Sequence, residues 1–293
     1  MHWQTRRFRI DLDRPRVMGI VNVTPDSFSD GGQHAEAAGA IAHCKRLVDE
    51  GADILDIGGE STRPGAAVLD DEEEWRRIAP VIQAALSLGV PLSVDTCKPE
   101  VMRRALEAGV DIVNDVQALC RPGALEILAA HDSAGVCLMH MRGEPSTMQG
   151  LTDYADVVAE VAQFLGERAA RLREAGIAAE RIVLDPGYGF AKQSEQNLQL
   201  LREQERLLAL GYPLLVGWSR KKTLGDVTGK PVNQRMPASI AAALLAVSRG
   251  ARILRVHDVA ATVDALKVWH AGDGPGALFA DNSGIKNSGG RSQ

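Results

Sequence analysis

Short runs of apolar, mostly β-branched residues alternate along this chain with longer segments in which apolar positions recur at helical spacing, and the alternation repeats eight times. The short runs are Val17 to Val23, Ile54 to Ile57, Pro91 to Val94, Ile112 to Val113, Gly135 to Met139, Ile182 to Leu184, Pro213 to Val216 and Ile253 to Val256. Helices are predicted between and after them near 35–50, 72–88, 99–108, 123–130, 154–175, 194–210, 236–249 and 258–270. Strands that are apolar on both faces, each followed by a helix, predict a parallel sheet wrapped by helices. Gly51, Gly89, Gly109, Gly176, Gly211 and Gly250 follow helical segments, as left-handed C-caps do. Eight such units in about 250 residues predict an α/β fold, a single (β/α)8 TIM barrel over residues 1–271. The Gly-, Asn- and Ser-rich stretch 272–293 has little apolar surface to bury and is read as a flexible C-terminal tail.

The strand ends change this picture from fold to function. In order they carry Asn22, Asp56, Asp95, Asn114, His140, Asp185, Ser219 with Lys221, and Arg255 with His257. In a barrel all eight of these ends open onto one face, where active sites of the fold are built. Three connections are longer than the rest, 23–34, 58–71 and 217–235, and long glycine-bearing loops on that face are expected to serve function and to close over bound substrates.

Composition removes several alternatives. With 45% hydrophobic and 24% charged residues the chain has the balance of a globular protein with a sizeable core. A net charge of −5 opposes a nucleic-acid surface, and the short run Arg220, Lys221, Lys222 does not reverse that. No apolar stretch approaches the ~18 residues of a membrane span, and the opening segment MHWQTRRFRIDLDR lacks a signal-peptide core, so a cytoplasmic setting is expected. Cys44, Cys97, Cys120 and Cys137 stand far apart and are expected to be reduced thiols. Neither a Ser-His-Asp grouping nor a G-x-S-x-G elbow occurs.

Two loop sequences are more specific than any of this. NVTPDSFSDGG at 22–32 and GGESTRPG at 58–65 resemble the two signatures of the dihydropteroate synthases, and the likeness continues through SVDT at 93–96, VND at 113–115, LMHM at 138–141, LDPGYGFAK at 184–192, SRK at 219–221 and RVHD at 255–258. The resemblance implies a barrel transferase of folate synthesis, a homodimer that uses magnesium and joins a pterin pyrophosphate to para-aminobenzoate. It implies that Asp185 accepts hydrogen bonds from the amino edge of the pterin, Asn114 holds the neighbouring edge, Lys221 donates to the ring carbonyl and Asp95 supports the far side. Met139 and Arg255 would cover the ring faces, and Ser219 belongs to the same set.

Pyrophosphate also requires an anion site. Arg255 and His257 end the eighth strand, where barrels often bind phosphate, with Asn22 of the first strand as their neighbour. Magnesium needs oxygen ligands, and Asn22 with phosphate oxygens and water is a minimal set. By resemblance Asp30 sits near the cation that develops as pyrophosphate leaves, with Arg63 and Lys221 as further catalytic residues. Phe28, Pro64 and Phe190 would wall the para-aminobenzoate, and Thr62 with Arg63 would order the closed loops. The chain departs from the pattern at Lys222, where a serine is expected after Ser-Arg-Lys, and at Trp218. Two other readings are a pterin-dependent methyltransferase domain and a catalytically silent pterin-binding paralogue. The first has no use for a pyrophosphate site, and intact Asp30, Arg63, Lys221 and His257 argue against the second.

Overall fold

The fold was described from a computed structural model, which describes residues 1–24, 32–61, 69–272 and 285–287. It opens with a hairpin that the eightfold pattern did not contain, β1 (His2–Gln4) paired antiparallel with β2 (Phe8–Asp11). Then come β3 (Arg16–Asn22), α1 (Gly32–Asp49), β4 (Ile54–Gly58), α2 (Asp71–Ala85), β5 (Leu92–Asp95), α3 (Pro99–Ala108), β6 (Ile112–Asp115) and α4 (Ala124–Ala129). The second half comprises β7 (Gly135–Met139), α5 (Val157–Glu174), β8 (Ile182–Asp185), α6 (Ser194–Arg202), α7 (Glu205–Leu208), β9 (Leu215–Val216), α8 (Lys222–Thr228), α9 (Met236–Ser248), β10 (Ile253–Val256), α10 (Val259–Gly272) and β11 (Ile285–Asn287).

The eight parallel strands run in the order β8-β7-β6-β5-β4-β3-β10-β9. A parallel bridge between Leu184 and Leu214 joins the two ends, so the sheet closes into a (β/α)8 barrel. All eight predicted strands are present, and the glycines named above as C-caps all have positive φ. Two predicted helices divide: 72–88 ends in a 3-10 turn at Leu86–Leu88, and 194–210 breaks into α6 and α7. The loop 217–235 contains α8, a short helix that buries only Thr223 and Leu224 and that its polar composition concealed.

Besides a small apolar cluster around Met139 and Phe190, two larger cores hold the barrel. One lies between the strands and the helical ring and contains Leu55, Val94, Val113, Leu138 and Leu184 with helical partners such as Ile78, Leu106 and Leu165. The second fills the barrel's N-terminal mouth, where Trp3, Phe8, Ile10 and Leu12 pack on Met18, Ile54, Ile112, Cys137, Val183, Leu215 and Ile253. The hairpin is therefore a plug, and Trp3 Nε1 donates to the carbonyl of Arg181 at 2.9 Å. The reading of 272–293 as flexible tail needs one correction. Ile285–Asn287 form β11, which pairs antiparallel with β2 and puts Ile285 opposite Ile10. The physical reason is the open edge of β2, whose free backbone groups accept a third strand; α10 also runs to Gly272, one residue beyond the expected boundary. Among the described residues no helix is long and apolar enough to cross a membrane.

Candidate active site

Parallel register brings the strand ends to one level. Asp95 lies opposite Asn114 across β5 and β6, and Met139 opposite Asp185 across β7 and β8. Above them opens a cavity of about 770 Å³, lined by Asn22, Asp95, Asn114, Met139, Asp185, Phe190, Ser219, Lys221, Arg255 and His257 among others. Every substrate or metal residue expected within the described part of the chain is therefore at this one cavity. Phe28, Asp30, Thr62, Arg63 and Pro64 lie outside the described residues.

The floor is an ion network. Asp56, fully buried on β4, accepts from Arg255 Nε at 2.6 Å and from Asn114 Nδ2 at 3.0 Å. Arg255 reaches past it to Asp95 Oδ2 with its other side, so one guanidinium bridges two carboxylates. Arg255 is thus oriented from below as well as being available to a ligand, which charge-assisted, planar pairing makes rigid. Asp56 ranked in the sequence only as a polar strand end; the structure makes it the hub that aims Asn114 and Arg255.

Electrostatics follow from burial. The Asp185 carboxyl is pushed up to about 6 by burial, opposed by the hydrogen bond from Gly187 N–H at 2.7 Å and by Lys221 and Arg255. Asp95 is also raised, burial outweighing the neighbouring Arg255 and being reinforced by Asp56. Burial lowers Lys221 below the usual lysine range, with Asp185 opposing the shift. Lys221 Nζ stands 3.9 Å from the centre of the Phe190 ring, a cation–π contact that fixes both walls of one corner. At the opposite rim Ser219 Oγ is 2.9 Å from His257 Nδ1 and accepts from the His257 backbone N–H at 3.2 Å.

His140 does not share this arrangement. Although it follows β7 among the polar strand ends, its ring turns away from the cavity and packs edge-on against Phe164 of α5 at 5.1 Å. The residue after the strand end points to the helical layer, because alternate positions along a strand face opposite sides. Three further residues were missed. Glu60 lines the cavity and accepts from the Leu69 backbone N–H at 3.1 Å, while Lys98 pairs with both Glu60 and the buried Glu74, the latter at 2.6 Å. The signal was present in GGES, but nothing in sequence marked Lys98 and Glu74 as its partners. Of the two departures, Lys222 is largely exposed and pairs with Asp226 at 2.7 Å. Trp218 is buried behind the cavity, stacked on Tyr188 at 4.3 Å.

A barrel with a strand-end cavity where Asp95, Asp185, Asn114, Lys221 and Arg255 meet suits an enzyme that holds a flat, donor- and acceptor-rich heterocycle beside an anion. Residues 18–257 match the family described as pterin binding enzyme. A dihydropteroate synthase of Neisseria meningitidis serogroup B is 54% identical over 275 residues, 92% of this chain and 96% of that protein. Among solved structures, Xanthomonas albilineans dihydropteroate synthase with 4-aminobenzoic acid is 56% identical, with a TM-score of 0.85 over 90% of this chain and 94% of that one. The same organism's enzyme in complex with 7,8-dihydropteroate is 53% identical, with a TM-score of 0.82 over 90% of this chain and 95% of that one. The chain belongs to the dihydropteroate synthase family of pterin-binding enzymes, transferases of folate biosynthesis.

Proposed function

We propose that this chain condenses hydroxymethyl-dihydropterin pyrophosphate with para-aminobenzoate, releasing pyrophosphate and forming dihydropteroate. The observation that carries the reading is the convergence of Asp185, Asn114, Lys221 and Arg255 on one cavity. Asp185 accepts from the amino edge of the pterin, Asn114 holds the adjoining edge, Lys221 donates to the ring carbonyl, and Met139 with Arg255 covers the faces. Arg255, His257 and Ser219 form the rim that receives the leaving group.

The chemistry is ionising. The carbon–oxygen bond breaks with its electron pair leaving on pyrophosphate, the electron-rich pterin stabilises the methylene cation, and the neutral aromatic amine attacks and then loses a proton to solvent. No covalent intermediate with the protein is needed, so the residues act by orientation, charge stabilisation and exclusion of water. Asp30 is assigned to the developing cation, Arg63 and Thr62 to the pyrophosphate, and Phe28, Pro64 and Phe190 to the ring of the second substrate.

For magnesium the residues present fit an ion carried on the pyrophosphate. The described residues offer no group of three or more His, Cys, Asp or Glu side chains that could hold a metal alone, whereas Asn22 lines the cavity with a neutral oxygen. Asn22 would be the protein's ligand, and the ion would supply neutralisation of the leaving group's charge when bound. A reducing, cytoplasmic setting is supported by four free cysteines. A homodimer is supported by exposed Val227, Met236, Leu245 and Val268 on α8, α9 and α10. Leu245→Lys combined with Val268→Lys is expected to yield monomers by sedimentation equilibrium.

Two carboxylates test the scheme. Asp185→Asn puts an amide where an acceptor is needed and is expected to weaken pterin binding by roughly 2–4 kcal/mol. Asp30→Asn is expected to leave affinity for the pterin pyrophosphate within a few-fold while lowering turnover, because its contribution appears only as charge develops. Calorimetric titration and steady-state rates decide the matter; equal loss of binding in both variants removes the cation-stabilising role of Asp30.

A further inference from the structure

In the cavity wall, the loop between β8 and α6 is folded around a buried ammonium. Lys192 Nζ donates to the carbonyls of Gly187 and Phe190, each at 3.0 Å, and lies 2.9 Å from His140 Nδ1. The side chain is 4% exposed, so three donors meet three neutral acceptors in the interior. Burial, then the charges of Lys192 and Arg142, hold the His140 imidazole far below its ordinary value, so it stays neutral. Its Nδ1 lone pair therefore accepts from the ammonium, and the ring proton sits on Nε2.

The loop itself is sharply bent. Gly187, Gly189 and Ala191 all have positive φ, at 68°, 80° and 49°, and for Ala191 that conformation is strained. A Cβ on Gly187 would lie 2.0 Å from the His140 carbonyl oxygen, so the loop approaches β7 as closely as backbone allows. The same loop begins at Asp185, whose Oδ1 accepts from Gly187 N–H, and carries Phe190, which packs under Lys221.

We infer that Lys192 is a positioning residue for pterin recognition: it pins the Gly187 and Phe190 carbonyls against His140, and its charge, lining the same cavity as Asp185, favours the ionised, hydrogen-bond-accepting carboxylate. The inference rests on Asp185 reading the pterin edge as proposed above. The charged groups acting on Asp185 are Lys221 after β9, Arg255 on β10 and Lys192 in its own loop, while the Cys137 thiol of β7 and the Tyr188 hydroxyl beside it are neutral. Those acting on Lys192 are Asp185, Lys221 and Arg142, with neutral His140 in contact. Burial brings Lys192 down to about 7, so it is cationic in the acidic range where Asp185 titrates and loses charge above it. Above neutrality the amine keeps two N–H donors, enough for the Gly187 and Phe190 carbonyls, so that part of the pinning persists at alkaline pH while the charge effect operates only below neutrality.

The test is calorimetric titration of hydroxymethyl-dihydropterin, without pyrophosphate, into the full-length protein and two variants across the range from about pH 5 to about pH 8.5. Lys192→Met keeps the stem and removes the ammonium. It is expected to weaken binding about tenfold at the alkaline end, from loss of pinning. The midpoint of the acid fall in affinity should also rise by about half a pH unit or more, from loss of the charge. Lys192→Gln, a neutral donor, is expected to recover most of the alkaline affinity while keeping the raised midpoint, and it carries the midpoint test if Lys192→Met melts too early. Turnover at saturating pterin pyrophosphate should stay within a few-fold of the parent. Wild-type affinity and wild-type midpoint in both variants overturn the role of Lys192 alone. Failure of the parent protein to bind the pterin would instead remove the reading of Asp185 on which it stands.

Discussion

Asp95 and Asp185 share one cavity with Arg255 and Lys221, with Asp56 fully buried behind them, and the balance of these five groups sets the charge of the site. In the proposed pterin reading Asp185 accepts most strongly from an amino edge when ionised, yet burial raises it to about 6; Lys221 donates most strongly when protonated, yet burial lowers it to about 8. A ligand that requires the carboxylate loses affinity as pH falls through the raised value, and one that requires the ammonium loses affinity as pH rises through the lowered value. Because the two groups interact, the limits belong to the pair and not to either residue. Pterin affinity is therefore expected to be greatest between about pH 6 and pH 8 and to fall on both sides, as read by titration in buffers of constant ionic strength. A flat profile from pH 5 to pH 9 would show that neither charge is used.

At the scale of elements, the catalytic face is made of bent turns fastened from behind by buried cations. Arg168 of α5 donates to the carbonyls of Ala118 and Leu119, both at 2.8 Å and both residues with positive φ, just as Lys192 fastens the turn after β8. Lys98 fastens a third place, joining α2 through Glu74 to Glu60, whose carboxylate also takes the Leu69 N–H. Lys98→Met would leave two carboxylates in low dielectric with no cation between them. It is expected to cost roughly 3–5 kcal/mol in urea denaturation, with kcat/KM reduced through Glu60 at the cavity rim. Retention of the parental midpoint would mean that the pair is solvated in solution. These fasteners also mark where sequence stops being informative. The strands and the helices between them follow from periodicity and from caps such as Gly109 and Gly250, which depend on neighbours a few residues away. Asp185, Asn114 and Lys221 were legible because strand ends share a face whatever the details of packing. Lys98 with Glu60, Arg168 with Ala118 and Asp56 with Arg255 were not, since each joins positions 38, 50 and 199 residues apart through contacts that exist only once the barrel has closed.

For the molecule as a whole, the site and the support of the barrel occupy opposite mouths. Trp3 is completely buried in the plug and bonded to Arg181, so Trp3→Ala leaves a large void and an unmatched carbonyl. A loss of roughly 3–5 kcal/mol is expected by chemical denaturation, while pterin affinity at ambient temperature stays within a few-fold. A large drop in affinity at unchanged stability would mean that the plug and the cavity are coupled through the strands.

The plug has a consequence for how the protein comes into being. Trp3 and Ile10 are synthesised well before Leu215 and Ile253, which belong to the surface they cover. The hairpin thus has no complete binding partner until the last two barrel strands, β9 and β10, have been made. Contacts of such sequence separation are slow to form. During synthesis the hairpin must wait exposed, or be sheltered by chaperones. Its docking then reports that the last barrel strands are in place, so the barrel is sealed by a segment made before any of its strands.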